Sequence, residues 1–342
     1  MNETDASGKF FAIVTTVQPP TSCARRLADA VRRAGGQLIV AGDKKGPQSF
    51  DLPSTRFLSL QEQLEQPFSL PKLLPTGHYA RKNVAYLAAI RDAAACIYET
   101  DDDNAPDETW QVRSLKTSAR RVRVRGDWLN VYRLFSPKKI WPRGFPLNLV
   151  CDPRTYSLED EGPQEELTAP VQQGLANGSP DVDAVWRLLL EEEFRFDRRP
   201  SVALPAGVWC PFNSQSTWWW PPAFPLLYLP SFCSFRMTDI WRSFIAQRCL
   251  WEFGCGVIFH PPEVVQERNV HNLMRDFKDE VPGYLGNERF AAELGRVSLE
   301  PGHGAVGENL LRCYRRLVGS GFFEPRELPL VEAWLADLPA AT

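Results

Sequence analysis

Three consecutive carboxylates, Asp101, Asp102 and Asp103, follow the short apolar run Ala93–Ile97. Like charges this close raise one another's pKa, so a cluster of this kind normally needs a positive partner. Mg²⁺ and Mn²⁺ prefer oxygen ligands, and they are commonly held by one or two carboxylates together with the phosphates of a substrate. The triplet therefore predicts a metal–diphosphate site, although taken alone it also fits a solvated acidic turn.

The elements before the triplet indicate how it is positioned. Residues 10–17 and 37–41 have the apolar, β-branched composition of strands, and residues 22–34 between them have the spacing of an amphipathic helix. Such strand–helix–strand units form parallel sheets, which bind ligands beyond the carboxyl ends of their strands. Asp43 and the Asp triplet each follow a predicted strand. The sequence therefore predicts an α/β domain with both acidic groups at one edge of its sheet.

Composition excludes several classes of function. The 342 residues are 44% apolar and 24% charged, with a formal net charge of -3, which argues against a nucleic-acid-binding protein. The basic run Arg120–Arg125 alternates as a solvated strand face does.

The eight cysteines include no Cys-x-x-Cys pair, so neither a zinc site nor a disulfide framework is expected. With a polar leader at residues 1–9 and no apolar run of membrane-spanning length, the expected location is cytoplasmic, with at most a peripheral membrane contact.

Two segments of the second half are less regular. Residues 151–180 are rich in Pro, Glu, Gly and Ser and are expected to form a long surface loop. Trp218–Trp220 are three tryptophans in a row, and in a strand they cannot all face one core. Either one of them is exposed or the segment is irregular, and the cluster fits packing across a domain junction as well as a platform on which a sugar stacks.

A set of motifs identifies a family resemblance. In chain order they are FAIVTTVQPPT, IVAGDKKGP, YARKNVAYLAAI, CIYETDDDNAP, WPRGFPL, SPDVDAVWRL, PFNSQSTWW, LPSFCSFRMTDIWRSFIAQRCLWEFG and VVQERNVHNLMRDFKDE. In these motifs, over about residues 10–285, the chain resembles the STELLO family of glycosyltransferases. The resemblance implies a GT-A fold, which is a Rossmann-like, mostly parallel sheet with helices on both faces. It places the Asp triplet at the DXD position.

The resemblance assigns residues to a nucleoside diphosphate sugar donor. It implies that Asp103 and Asp101 bind Mn²⁺ or Mg²⁺, with His271 as a further metal ligand. The expected donor contacts are Thr15, Thr16, Gln18, Asp43, Arg81, Lys82, Asn83, Asp101, Asp102 and Arg268. Among these, the neighbouring cations Arg81 and Lys82 suit a diphosphate, but the same residues also fit an exposed first helical turn.

The resemblance also assigns an acceptor side. Asp239 stands at the position of the general base of inverting GT-A enzymes, where a raised pKa would suit its role. The expected acceptor residues are Trp141, Arg143, Asn213, Gln215 and Trp218. The domain expected over residues 10–285 divides at 105/106 into nucleotide-binding and acceptor halves, and a helical extension is expected over 286–342.

The implied function is a metal-dependent, inverting transfer of a sugar to a glycan, glycolipid or other hydroxyl acceptor in polysaccharide biosynthesis, with a UDP-sugar as the expected donor. Two alternatives remain open at this point. One is a sugar-nucleotide mutase similar to the reversibly glycosylated polypeptides, which also carry an Asp triplet. The other is a non-catalytic scaffold of a glycan-assembly complex.

Overall fold

A computed structural model of the chain describes residues 8–190, 192–267 and 272–339. Over these residues it contains one eleven-stranded sheet and nine α-helices. The strands are β1 (Lys9–Thr15), β2 (Gln37–Ala41), β3 (Thr55–Leu58), β4 (Ala94–Thr100), β5 (Asn104–Pro106), β6 (Lys116–Val124), β7 (Leu158–Thr168), β8 (Val171–Asn177), β9 (Val202–Ala203), β10 (Ser216–Trp219) and β11 (Ile258–Gln266). The helices are α1 (Ser22–Arg33), α2 (Leu60–Glu65), α3 (Leu70–Leu73), α4 (Lys82–Arg91), α5 (Ala184–Leu190), α6 (Thr238–Trp251), α7 (Leu273–Gly295), α8 (Val306–Gly319) and α9 (Leu328–Asp337).

The strand order is β3-β2-β1-β4-β10-β8-β11-β9-β6-β7, with β5 paired to β11. Strands β3, β2, β1 and β4 run parallel to one another, as the predicted strand–helix–strand units require. Strand β10 is antiparallel to both of its neighbours, so the sheet as a whole is mixed. The predicted α/β fold class is confirmed, with a Rossmann-like first half and helices α8 and α9 in the C-terminal extension.

Helices cover both faces of the sheet. Helix α1 begins at an N-cap, Thr21, whose side chain accepts a hydrogen bond from the backbone N–H of Ala24, and it buries Leu27 and Val31 on one face. Helix α4 packs against the other face of the sheet, and its residues 82–90 are all buried. A helix that is buried all round needs no polar face, which explains its Ala-rich sequence. At the parallel strands β1, β2 and β4 both sheet faces are therefore buried, and the polar residues at the strand ends are available to form a site.

The expectation of a long surface loop at residues 151–180 is wrong for most of its length. This segment forms β7 and β8, and β7 pairs with β6 as an exposed antiparallel ribbon. Cross-strand ion pairs such as Arg120–Glu161 (2.8 Å) and Arg121–Glu165 (2.6 Å) stabilise it. A strand solvated along most of its length has a polar composition, so its sequence resembles that of a loop. The predicted solvated strand face at Arg120–Arg125 lies largely within β6.

Helix α7 runs through the expected boundary at residues 285/286, so the two predicted segments are continuous there. None of the helices in the described part of the chain combines the length and the apolar character needed to cross a bilayer.

Candidate active site

A cavity of about 430 Å³ lies beyond the carboxyl ends of β1, β2 and β4. It is lined by residues from both halves of the chain, because β10 pairs with β4 and Arg242 of helix α6 binds Glu99 of β4. Of the residues that the sequence singled out, it is lined by Thr15, Thr16, Gln18, Asp43, Asp101, Asp102, Asp103, Arg143, Gln215 and Asp239. The expected meeting of Asp43 with the Asp triplet at one sheet edge is thus observed.

Asp101 lies directly after β4 and is held by two side chains from the start of α4 and the turn before it. Its Oδ1 accepts hydrogen bonds from the Tyr79 hydroxyl (2.7 Å) and from Lys82 Nζ (3.1 Å). Burial raises the pKa of Asp101, and the charge of Asp239 adds to the rise, while Lys82 and Tyr79 oppose it. The single paired cation therefore does not fully offset the cost of burying this carboxylate.

Asp102 and Asp103 are held by the chain segments on either side of them. Asp102 Oδ2 accepts a hydrogen bond from the Thr16 hydroxyl, and burial raises the pKa of Asp102. Asp103 accepts from Gln266 Nε2 at 3.0 Å and from Asn104 Nδ2 at 3.1 Å. These bonds connect the triplet to the end of β1 on one side and to the end of β11 on the other.

The triplet fits a divalent cation that shares its coordination with a substrate. Ionised carboxylates can accept several bonds each, and two of these three have pKa values raised by burial, so their negative charge is under-compensated. Among the described residues, no group of three or more His, Cys, Asp or Glu side chains is arranged to hold a metal by itself. Carboxylate oxygens are donors that hard cations such as Mg²⁺ accept, together with the phosphate oxygens of a substrate.

Asp43 lines the cavity but already has several protein partners. Its carboxylate accepts hydrogen bonds from the backbone N–H groups of Lys44 (2.7 Å), Gly77 (2.8 Å) and His78 (2.9 Å). It thereby fixes the loop that leads to Tyr79, whose hydroxyl binds Asp101. The geometry gives Asp43 a role in holding this loop in addition to any contact with a ligand.

Arg143, Asp181 and Asp239 form a buried cluster that also lines the cavity. Arg143 donates to both oxygens of Asp181 (2.8 and 2.9 Å) and to Asp239 Oδ2 (2.9 Å). Burial alone would raise the pKa of Asp239, but Arg143, helped by Arg242 and Arg236, outweighs it and lowers that pKa. Asp239 is therefore ionised at neutral pH, and the expected raised pKa is wrong because a buried guanidinium lies against the carboxylate.

The structure corrects the roles of the cluster at residues 81–83. Arg81 is buried away from the cavity, where its guanidinium donates to Gln63 Oε1 (2.8 Å) and to the Pro71 carbonyl (2.7 Å). Asn83 donates to the Leu229 carbonyl and accepts from the Leu229 N–H. Lys82 contacts Asp101 from beneath the cavity. None of the three side chains lines the cavity, so their polarity serves the interior of the protein.

Three of the expected acceptor residues also lie elsewhere. Trp141 is buried and donates to Asp183 Oδ2 at 2.6 Å, and Asn213 is buried against Gln173. Trp218 lies in the core on the α1 side, stacked near Phe10 and Tyr98. None of the three tryptophans needs to be exposed, because both sheet faces are covered at β10. Trp219 packs into one core, and Trp218 and Trp220 pack into the other.

Arg268 and His271 lie outside the described residues. The expectation that they bind phosphate and metal stays a prediction.

The cavity also contains residues that the sequence reasoning did not select: Lys45, His78, Tyr79, Asp181, Phe235, Arg236 and Gln266. Most of them lie inside the motifs quoted above, next to residues that were selected. Tyr79 precedes the cation pair Arg81 and Lys82, and Arg236 lies three residues before Asp239. Position within the motifs was thus a useful guide to the residues that line the cavity. The polarity of a side chain was not, because some polar residues of the same motifs are buried elsewhere.

Comparison with known proteins agrees with the motif pattern. The family model described as STELLO glycosyltransferases matches residues 236–341, which contain α6 and the C-terminal helices. Probable glycosyltransferase STELLO2 of Arabidopsis thaliana is 30% identical over 347 aligned residues, which cover 95% of this chain. The resemblance to the STELLO family is confirmed. Probable glycosyltransferase STELLO1 of the same plant is 29% identical over 96% of this chain.

The STELLO relatives are longer proteins than this chain. The alignments cover 44% of each of them, so the chain spans less than half of their length. Two solved structures show a distant likeness, each with a TM-score of 0.41 over 82% of this chain. They are a mycobacterial protein (10% identity, 75% of that chain) and M. tuberculosis glucosyl-3-phosphoglycerate synthase (11% identity, 81% of that chain).

Proposed function

We propose that this protein is a metal-dependent glycosyltransferase that moves a sugar from a nucleoside diphosphate sugar to a hydroxyl acceptor. The observation that carries the proposal is that one cavity is lined both by the Asp triplet, directly after β4, and by Asp239, in the first turn of α6. A donor with a diphosphate leaving group and an acceptor with a reacting hydroxyl need both kinds of carboxylate in one site. The STELLO resemblance supports the same reaction class.

On the donor side, Asp103 and Asp101 would hold Mn²⁺ or Mg²⁺. When bound, the cation would neutralise the charge that develops on the departing diphosphate. Thr15, Thr16 and Gln18, at the end of β1, would line the pocket for the base of a uridine nucleotide. Lys82 and Tyr79 position Asp101 through their hydrogen bonds to its Oδ1.

On the acceptor side, Asp239 would take the proton. The acceptor oxygen forms a bond to the anomeric carbon of the sugar, the bond from that carbon to the diphosphate oxygen breaks, and the hydroxyl proton passes to the Asp239 carboxylate. Attack opposite the leaving group inverts the anomeric configuration. Because Arg143 lowers the pKa of Asp239, this carboxylate is in the base form at neutral pH.

The donor assignment is tested by calorimetry on the full chain with a panel of UDP-, GDP- and ADP-sugars, with and without Mn²⁺. We expect Mn²⁺-dependent binding of a UDP-sugar, weakened at least tenfold in Asp103→Asn. Asp51→Asn is the matched control, because Asp51 is exposed and bonds only locally to Ser49. Equal binding of the UDP-sugar by wild type and Asp103→Asn would refute the assignment of Asp103 as a metal ligand.

The base assignment is tested with Asp239→Asn. Loss of a general base typically costs about 10²–10⁴ in rate, so sugar transfer should fall by that factor while donor binding persists. Release of an isomerised donor in the absence of any acceptor would instead indicate a mutase. Failure of the wild-type chain to bind or hydrolyse any donor would favour the scaffold.

A further inference from the structure

A second, larger cavity adjoins the candidate active site. Its volume is about 1010 Å³, against about 430 Å³ for the first, and the two share His78, Phe235 and Arg236 as lining residues. It runs from Phe235 past the start of α7 to the turn at residues 321–326. We call this second cavity the side groove. Because the two cavities share lining residues, a ligand bound in the side groove can extend into the cavity that Asp239 lines.

Phe235 stands where the two cavities meet. It is 55% exposed, so the face of its ring is open to a ligand. Its ring lies edge-on to the rings of His78 (6.4 Å between centroids) and Tyr79 (6.1 Å). Tyr79 in turn donates its hydroxyl to Asp101. The exposed ring is therefore linked to the Asp triplet through its contact with Tyr79.

Among the described residues that line the side groove, three arginines and three carboxylates balance in charge. Its cations are paired with carboxylates, since Arg236 binds Glu280 (2.8 Å), Arg326 binds Glu324 (2.7 Å) and Arg275 lies 3.8 Å from Asp279. Burial lowers the pKa of His78, so this imidazole adds no positive charge at neutral pH. A phosphate or a polyuronate would need unpaired cations. The groove instead combines aromatic rings with paired, hydrogen-bonding charges.

The C-terminal extension shapes one wall of the side groove. Glu327 accepts hydrogen bonds from the backbone N–H groups of Ser231 (3.1 Å) and Phe232 (2.7 Å), and thereby fixes the segment that leads to Phe235. Arg326 lies over the ring of Phe232 at 3.9 Å from its centroid. In the described part of the chain, the buried hydroxyl of Ser231 on this wall has no hydrogen-bond partner.

We propose that the side groove binds an uncharged oligosaccharide acceptor, with Phe235 as the stacking platform that presents its terminal sugar to Asp239. The inference rests on the proposed function and adds to it the acceptor class and the residues that bind it. Sugar rings have apolar faces that pack on an exposed aromatic ring, and their hydroxyls bond to paired Arg and Asp side chains without needing net charge. A groove more than twice as large as the donor cavity accommodates a chain of sugars.

The test is calorimetric binding of neutral glucose, mannose and galactose oligomers, one to six residues long, to the full chain without donor. We expect one series to bind at least tenfold more tightly as the hexamer than as the monomer. Phe235→Ala should weaken hexamer binding at least fivefold, and Phe235→Tyr should largely restore it. Arg326→Ala, in the wall that the C-terminal extension forms, should weaken it as well. Leu189→Ala is the control, because Leu189 is 73% exposed and lies outside the groove.

Three outcomes would overturn the proposal: no length dependence in any series, equal binding by wild type and Phe235→Ala, or tighter binding of galacturonate oligomers than of neutral ones. Donor binding is measured separately on the same preparations. A chain that binds oligosaccharide but no sugar nucleotide leaves the groove intact and refutes the transferase, whereas the reverse result refutes only the groove.

Discussion

Arg143 Nη2 donates a 2.9 Å hydrogen bond to Asp239 Oδ2, although the two residues lie 96 positions apart in the sequence. The same guanidinium binds both oxygens of Asp181 and the backbone carbonyl of Arg236. All of these contacts are buried or partly buried, and charges interact more strongly there than they do in water. The arrangement keeps the candidate base ionised and fixes its position beside the cavity.

Replacing Arg143 with Gln should shift the pH dependence of transfer. Asp239 acts as a carboxylate, so activity is lost as the pH falls through its pKa. Because Arg143 lowers that pKa, its removal should move the acidic limb of kcat/KM upward by about 1–3 pH units. The measurement is a pH profile of sugar transfer. Arg154→Gln breaks an exposed pair with Asp152 and should leave the profile unchanged. An unshifted limb in Arg143→Gln would remove Asp239 from the role of base.

Replacing Lys82 with Met should destabilise the protein strongly. Lys82 Nζ binds Asp101 Oδ1, the Thr100 carbonyl and the Tyr79 hydroxyl, and its side chain is fully buried. Breaking a buried ion pair from one side costs about 3–5 kcal/mol in unfolding free energy. Urea denaturation measures this, with the exposed Lys72→Met as control. If the two variants unfold at the same urea concentration, Lys82 is not the structural cation described above.

Replacing Trp218 with Ala should lower stability by about 3–5 kcal/mol, because the indole fills the core beneath α1. Its Nε1 also donates to Glu263 Oε1 at 2.9 Å, so that buried carboxylate would lose a partner. Thermal denaturation measures the loss. The milder Trp218→Phe should leave the apparent affinity for the acceptor unchanged. A changed acceptor KM with unchanged stability would instead support a sugar-stacking platform.

Replacing Asp183 with Asn should flatten the pH dependence of stability. Burial raises the pKa of Asp183 to about 7, with Glu280 adding to the rise and hydrogen bonds from Trp186 and Trp141 opposing it. The folded state then holds this proton more tightly than the unfolded state, so the contribution to stability falls as the pH rises from about 4 to about 7. The total change across this window is at most about 4 kcal/mol.

Denaturant unfolding of the Asp183 variant at several pH values is the measurement. The slope between pH 4 and 7 should shrink in Asp183→Asn and stay unchanged in the exposed control Asp51→Asn. A slope identical to that of the wild type would show that Asp183 is already ionised throughout this range.

The sequence by itself determined the parallel half of the sheet and the position of the triplet. Strands β1, β2 and β4 are buried on both faces and are therefore continuous apolar runs, which are easy to recognise. The rule that parallel strands present their carboxyl ends at one edge then placed Asp43 and Asp101 together. The family resemblance carried by the motifs selected Arg143, Gln215 and Asp239, which line the same cavity.

The tertiary structure alone decided which polar residues face the cavity. Arg81 and Asn83 are as polar as Asp101, but they satisfy carbonyl and amide groups inside the protein, and only the packing of α4 against its neighbours shows this. Strand β7 could not be recognised from the sequence, because its pairing depends on backbone hydrogen bonds and cross-strand charges rather than on apolar burial. Local sequence reports the spacing and type of side chains. Which buried partner each one meets is set by residues far away in the chain, as the pair of Arg143 and Asp239 shows.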